Sequence, residues 1–123
     1  MFAEVKESLP ISGDDYDAQI IREIKACALD LTTSAEIVLP GNIAITRTQD
    51  AETGAWTVTD SSTVTDELII TVISIWCNMR IGNPPNYEQL LAAYGSLKGQ
   101  LRLSGHYNKA PEGGADDADD DQL

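Results

Sequence analysis

An apolar run in the middle of the chain limits the folds that this sequence can adopt. The segment TDELIITVISIWCNMRIG, residues 65–82, carries apolar side chains on nearly all sides of a helix. It is too long for a typical strand, and its most apolar part, 68–76, is too short for the roughly 20 residues that cross a bilayer. We therefore predict the most buried, central helix of the fold here, with Thr65 as its N-terminal cap and Gly82 as its end.

The segment 14–32 also predicts a helix. Its aliphatic residues recur every three or four positions, and charged residues fill the positions between them. Asp14 is suited to accept the free amide hydrogens of the first turn, and Asp15 and Asp17 interact favourably with the positive end of the helix dipole. A shorter helix is expected before it, ending near Pro10.

Threonine, isoleucine and valine replace the helical pattern between these two helices. Ile43 and Ile45 point to one side of an extended chain, and Trp56 begins a second alternating stretch after QDAETG. This pattern predicts a β-hairpin at about 42–60, with Gly54 adopting a positive φ in its loop.

Two glycines interrupt the last helical segment, NYEQLLAAYGSLKGQLRLSGHY. Asn86 is expected to cap this helix, with Gln89 in the capping-box position. At 100° per residue the large apolar side chains form one stripe. Small residues occupy the opposite side: Ala92, Gly95, Ser96 and Gly99. Because each glycine costs about 1 kcal/mol in helix propensity, we interpret that side as a surface where a neighbouring subunit approaches closely. The alternative is that Gly99 and Gly105 mark fraying, and that the helix ends early.

These segments predict a mainly α fold in one domain, residues 1–110. It is a small helical bundle of three main helices plus a short N-terminal helix, with the hairpin inserted between the first and second main helices. The candidate core residues are Ile20, Ile24, Leu31, Leu68, Val72, Trp76, Leu90, Tyr94, Leu97 and Leu101. Cys27 and Cys77 lie inside apolar helical segments, so we expect two buried, reduced thiols.

The charge of the chain is strongly acidic, with 20 Asp and Glu against 8 Lys and Arg. A tail, residues 111–123, carries six of these acids and no base, which is half of the net charge of −12. With a single leucine and no aromatic residue, the tail is expected to be disordered in isolation, either as a solubilising end or as an arm that contacts a basic partner. The overall balance argues against binding nucleic acid through a phosphate-neutralising surface.

No catalytic or cofactor-binding motif is visible. The sequence has no phosphate-binding loop, nucleophile elbow, HExxH pair or paired-cysteine zinc pattern, and His106 is its one histidine. An enzyme that used Asp14, Asp15, Asp17 and His106 would be supported by residue types alone. We expect no enzymatic activity, no metal and no cofactor. The first residues, MFAEVKES, do not form a signal peptide, so cytosol-like conditions are expected.

The order of the segments resembles the head-tail connector proteins of tailed bacteriophages, small helical adaptors that form a ring beneath the portal. Three stretches carry the resemblance: VKESLPISGDDYDAQIIREIKACALDL, TDELIITVISIWCNMRIGNPP and NYEQLLAAYGSLKGQLRLSGHY. It covers residues 5–31 and 64–107, and the threonine-rich hairpin departs from the family pattern.

The resemblance implies a structural protein of the virion neck, assembled in the host cytoplasm. Identical subunits, with twelve as the expected number, would form a ring that contacts the portal above and a tail or stopper protein below. Packaged DNA would pass through the channel without specific binding, and no membrane is involved.

A second class of protein remains an alternative. In this alternative the chain is an acidic inhibitor that mimics DNA and blocks a host nucleic-acid enzyme. Against it, the acids outside the tail are scattered rather than arrayed at phosphate-like spacing.

The hairpin has two interpretations. It can project from the helical body and clasp a neighbouring subunit or the portal, with an exposed Trp56 as a further interface residue. Alternatively, Trp56 folds back onto the face of Ile43 and Ile45 and completes the core. The second interpretation is favoured, because tryptophan is usually buried.

Overall fold

The computed structural model describes residues 1–11, 13–81, 84–104 and 107. This part of the chain contains four helices and one antiparallel pair of strands, in the order α1 (Phe2–Glu7), α2 (Asp17–Thr33), β1 (Ile45–Gln49), β2 (Trp56–Asp60), α3 (Glu67–Arg80) and α4 (Tyr87–Leu103). The prediction of a mainly helical chain with a hairpin between the first and second main helices is confirmed. The acidic tail, 111–123, and the expected helix end at Gly82 lie outside the described residues.

Helix α3 occupies the centre of the fold. It packs against α1, α2 and α4, and the side chains of Val72 and Ile73 are completely shielded from solvent. Its cap differs from the prediction, because Asp66 rather than Thr65 occupies that position. The Asp66 carboxylate accepts two amide hydrogens of the first turn, at 2.9 and 3.2 Å. A carboxylate is the stronger acceptor there, since its charge also interacts favourably with the positive end of the helix.

The start of α2 is fixed by a lysine of α1. Helix α2 begins at Asp17, later than predicted, and its cap position is occupied by Tyr16, which makes no side-chain hydrogen bond. The Lys6 ammonium binds the carboxylates of Asp14 and Asp17 at 3.1 and 2.8 Å. The predicted cap by Asp14 is therefore wrong, because its carboxylate binds Lys6 of α1 instead of the amide hydrogens of α2. The Asn86 side chain likewise makes no capping hydrogen bond at the start of α4.

The loop of the hairpin forms as predicted. Strands β1 and β2 pair so that Gln49 lies opposite Trp56 at the loop end. The Asp50 carboxylate accepts two amide hydrogens of the loop, at 2.7 and 3.0 Å, and Gly54 adopts a φ of 75°. These local hydrogen bonds define a turn that needs no support from the helical body.

The base of the hairpin is fixed to α1 and α2. Ile45 is buried at the start of β1, which contacts α2, and the Phe2 amide donates to the Asp60 carboxylate at 2.7 Å. Burial opposes the charge of Asp60, but hydrogen bonds from Ser62 and from the Phe2 amide outweigh it and lower the pKa of Asp60. Gly41 precedes this base with a φ of 146°, and a Cβ atom there would lie 2.9 Å from the adjoining backbone. Because the segment at Gly41 passes so close to the backbone of Thr63 and Val64, this position requires glycine.

One apolar core joins the helices and the hairpin base. Six candidate core residues are buried: Ile20, Ile24, Leu31, Val72, Tyr94 and Leu101. Four others pack against this core while partly exposed: Leu68, Trp76, Leu90 and Leu97. Trp76 stays near the surface because its indole N–H donates to Glu23 at 3.0 Å. Cys27 and Cys77 are buried free thiols.

Candidate interaction surfaces

Helix α4 is held on α2 and α3 by contacts around Tyr94. The Tyr94 hydroxyl donates to the Asp30 carboxylate of α2 at 2.6 Å, and the Tyr94 ring packs on the indole of Trp76 in α3, with centroids 5.2 Å apart. The Lys98 ammonium donates to the same Asp30 oxygen at 2.9 Å. These contacts lie one turn apart along α4, so they fix the rotation of the helix and determine which side faces outward.

The same contacts shift the pKa values of the groups involved. Burial opposes the charge of Asp30, but hydrogen bonds from Lys98 and Tyr94 outweigh it and lower the pKa of Asp30. Burial and the hydrogen bond to Asp30 raise the pKa of Tyr94. Burial raises the pKa of Cys27 to about 12, and this thiol lies 3.8 Å from the Tyr94 oxygen. At neutral pH the ionised Asp30 carboxylate therefore faces the neutral Tyr94 hydroxyl, and the nearby Cys27 thiol is also neutral.

The free energy of unfolding is expected to fall on both sides of neutral pH. The lowered pKa values of Asp30 and Asp60 contribute stability above the ordinary carboxyl value of 3.8, and this contribution is lost as the pH falls below it. Burial and a hydrogen bond to Asp66 raise the pKa of Tyr107 to about 12. The raised pKa of Tyr107 stabilises the fold below the ordinary tyrosine pKa of 10.0, and this stabilisation is lost as the pH rises toward 12. The raised pKa of Cys27 acts in the same direction. Urea denaturation at about pH 3, 7 and 11 measures this profile, and equal midpoints at the first two would contradict the roles of the aspartates.

The outward side of α4 carries no charge in its middle, and its exposed charged residues, Glu88 and Arg102, lie near the two ends of the helix. Ala92, Gly95 and Ser96 are exposed, and Gly99 is partly buried. No charged residue occurs from 89 to 97. Apart from the neighbouring residues and backbone of its own helix, a Cβ atom added at Gly95 or Gly99 would have no atom within 4 Å. Space is therefore open above both glycines.

Helix α4 runs through both glycines to Leu103, so the alternative that it ends at Gly99 is wrong. Gly105 lies outside the described residues. Leu91 and Leu103 are 48% and 86% exposed on the same side as the small residues. Sequence reasoning missed both leucines, although Leu91 lies about 100° from the inward stripe. We call this surface, formed by Leu91, Ala92, Gly95, Ser96, Gly99 and Leu103, the outer face of α4.

A shallow hollow of about 280 Å³ borders the outer face. Its lining combines α4 with the end of α2: Ser34, Ala35, Gly95, Lys98, Gly99 and Arg102. The two glycines therefore form one side of a depression, rather than the flat strip that the helical repeat predicts. A partner that reached the glycines would also contact the chain just after α2.

Trp56 does not complete the core. It is 50% exposed, and the Arg47 guanidinium lies 3.8 Å from the centroid of its ring. The strand register explains why. Trp56 is on the same face as Ile45, but it pairs with Gln49, about 14 Å further along β1. The interpretation that Trp56 packs on Ile43 and Ile45 is wrong, because the correct face extends beyond the helical body.

The three aspartates around the start of α2 lie in different surroundings. Asp14 and Asp17 both bind Lys6, and Asp15 is exposed. His106 lies outside the described residues. Within the described ranges, no group of three or more His, Cys, Asp or Glu side chains could hold a metal ion. No helix in the same ranges has both the length and the apolar character needed to span a membrane.

No protein family model, curated protein or solved structure matches this chain. Among the described residues, the outer face of α4 and the loop end of the hairpin are exposed surfaces on separate elements. Helix α4 packs on α3, whereas the hairpin base contacts α1 and α2. Two different surfaces on one subunit are what a head-to-tail contact between identical copies requires.

Proposed function

We propose that this protein is a head-tail connector of a tailed bacteriophage. In this role, identical subunits form a ring below the portal and extend the channel through which DNA passes. The outer face of α4 is the observation that carries the proposal. It combines exposed leucines, no charge from residue 89 to 97, and open space above two glycines.

An outer face of this kind is costly unless something covers it. The solvent side of a helix normally carries charged or polar residues, and each interior glycine reduces helix stability by about 1 kcal/mol. A neighbouring subunit offsets this cost, because small residues allow two backbones to approach closely. Since the outer face and the hairpin are different surfaces, each copy can bind the next by rotation, and the contacts close into a ring.

The charge of the chain supports the same role. With a net charge of −12, the protein repels nucleic-acid phosphates rather than binding them. A channel lined by such subunits would allow packaged DNA to slide. The portal and a tail or stopper protein are the expected neighbours above and below the ring, and twelve copies are the expected number.

The proposal is tested by measuring mass in solution and by electron microscopy of the protein alone and with a portal. Closed rings are expected, at least in the presence of the portal. Association should strengthen as salt screens the repulsion between acidic subunits. Absence of rings with the portal, or absence of this chain from the neck of mature particles, would contradict the proposal. Salt-sensitive binding of a monomer to a nuclease would favour the DNA-mimic alternative.

A further inference from the structure

We propose that the loop end of the hairpin of one copy docks at the start of α4 in a second copy, with Arg47 binding Glu88 and Trp56 filling the adjacent hollow. This inference rests on the proposed function and names the parts of the two subunits that meet. Both elements are exposed in a single chain, and they carry opposite charges.

The hairpin presents a fixed cation. The Arg47 guanidinium is stacked on the Trp56 ring, and its Nε atom is shielded from solvent without a hydrogen-bond acceptor among the described residues. Other cations of the described chain contact carboxylates: Lys6, Arg80 and Lys98. Arg22 and Lys25 are exposed on α2, so water solvates them, and Arg102 has an interaction partner of its own. Arg47 therefore combines partial burial with an unused donor, in a chain that has a large excess of acids.

The docking side of the hairpin is distinct from its other side. Arg47 and Trp56 share a face with Ile45, which the helical body buries. The opposite face carries four exposed threonines: Thr46, Thr48, Thr57 and Thr59. Only one face of the projecting strands therefore has an aromatic ring and a cation, the residue types that most often dominate binding at interfaces.

The receiving surface is a hollow of about 530 Å³ at the start of α4. Its described lining is Pro85, Asn86, Tyr87, Glu88 and Gln89. Tyr87 is 46% exposed, and Glu88 is exposed and forms no ion pair with a described residue. The volume is within the range of pockets that hold small ligands, so it can accommodate an indole ring. Leu91 follows one turn later, so this hollow continues the outer face of α4.

The two surfaces are chemically complementary. A guanidinium can bind a carboxylate through two parallel hydrogen bonds, which sets the orientation of the pair as well as its affinity. The Trp56 ring would pack beside Tyr87 and Pro85, and burial of an aromatic side chain supplies most of the apolar area. Since every copy carries both surfaces, the contact repeats around a ring without requiring a second protein.

A charge exchange tests the docking. Arg47→Glu and Glu88→Arg should each weaken self-association by at least about tenfold, and the double variant should recover most of the affinity. Sedimentation velocity measures the association constants, and circular dichroism checks that each variant is folded. Matched controls change the same charges at exposed sites elsewhere. These are Lys25→Glu on α2 and Glu67→Arg in the first turn of α3.

A second pair of variants tests the aromatic contact. Trp56→Ala should weaken association, whereas Thr57→Ala on the opposite face of the hairpin should not.

The outcomes separate this inference from the proposed function. If the double variant associates no better than the single variants, or if the controls weaken association equally, the docking is wrong. If hairpin variants form normal rings while leucine at Gly99 prevents them, the docking is wrong and the connector proposal stands. A natural chain that stays monomeric at millimolar concentration also overturns the docking, and the portal experiment then decides the proposed function.

Discussion

Leucine at Gly95 or Gly99 is expected to abolish ring formation while leaving the monomer at least as stable as the natural chain. A side chain at either position enters open space, since a Cβ atom there has no atom within 4 Å beyond its own stretch of helix. Replacement of a helical glycine also improves helix propensity by up to about 1 kcal/mol. In a ring, however, the added leucine occupies the space of the neighbouring backbone. Overpacking of about 1–3 kcal/mol would weaken each contact by about 5- to 150-fold.

Sedimentation velocity and thermal denaturation measure the two halves of this prediction separately. The matched control is Ala18→Leu, which enlarges a small exposed residue on α2 and should leave assembly unchanged. Loss of rings together with an unchanged or higher melting temperature identifies the outer face of α4 as a contact. Normal rings from both glycine variants would show that subunits meet elsewhere.

The helices and the hairpin could be predicted because short-range patterns determine them. The apolar run of α3 is too long for a strand, and the aliphatic repeat of α2 continues over several turns. The positive φ of Gly54 follows from its place in a short loop between alternating residues. The outward position of Gly95 and Gly99 follows from the helical repeat once the inward stripe is known. In each case the information lies within a few residues.

The caps and the position of Trp56 depend on contacts that are distant in sequence. Asp14 is a suitable cap by residue type, but Lys6 of α1 binds its carboxylate. Alternation correctly assigns Trp56 to the face of Ile45, but it does not show how far that face extends beyond the helical body. The stacking of Trp56 on Arg47 depends on the strand register, which local patterns leave open.

Tyr94→Ala is expected to lower the free energy of unfolding by about 3–5 kcal/mol, the usual range for removing a buried aromatic side chain. The substitution removes the ring that packs on Trp76 and the hydroxyl that donates to Asp30. This is a large part of the roughly 5–15 kcal/mol that stabilises a domain of this size. The midpoint of urea denaturation measures the loss, and an unchanged slope shows that the folded state is still compact.

Tyr94→Phe separates packing from hydrogen bonding at the same position. It keeps the ring against Trp76 and removes only the hydroxyl, so a loss of about 1–2 kcal/mol is expected. Because the pKa of Tyr94 is raised by burial and by Asp30, the phenylalanine variant should also lose less stability than the natural chain between about pH 9 and 11. The phenylalanine variant should still assemble, since Lys98 continues to hold α4 on Asp30 and the outer face keeps its orientation. A phenylalanine variant as unstable as the alanine variant would mean that the hydroxyl, rather than the ring, holds α4 in place.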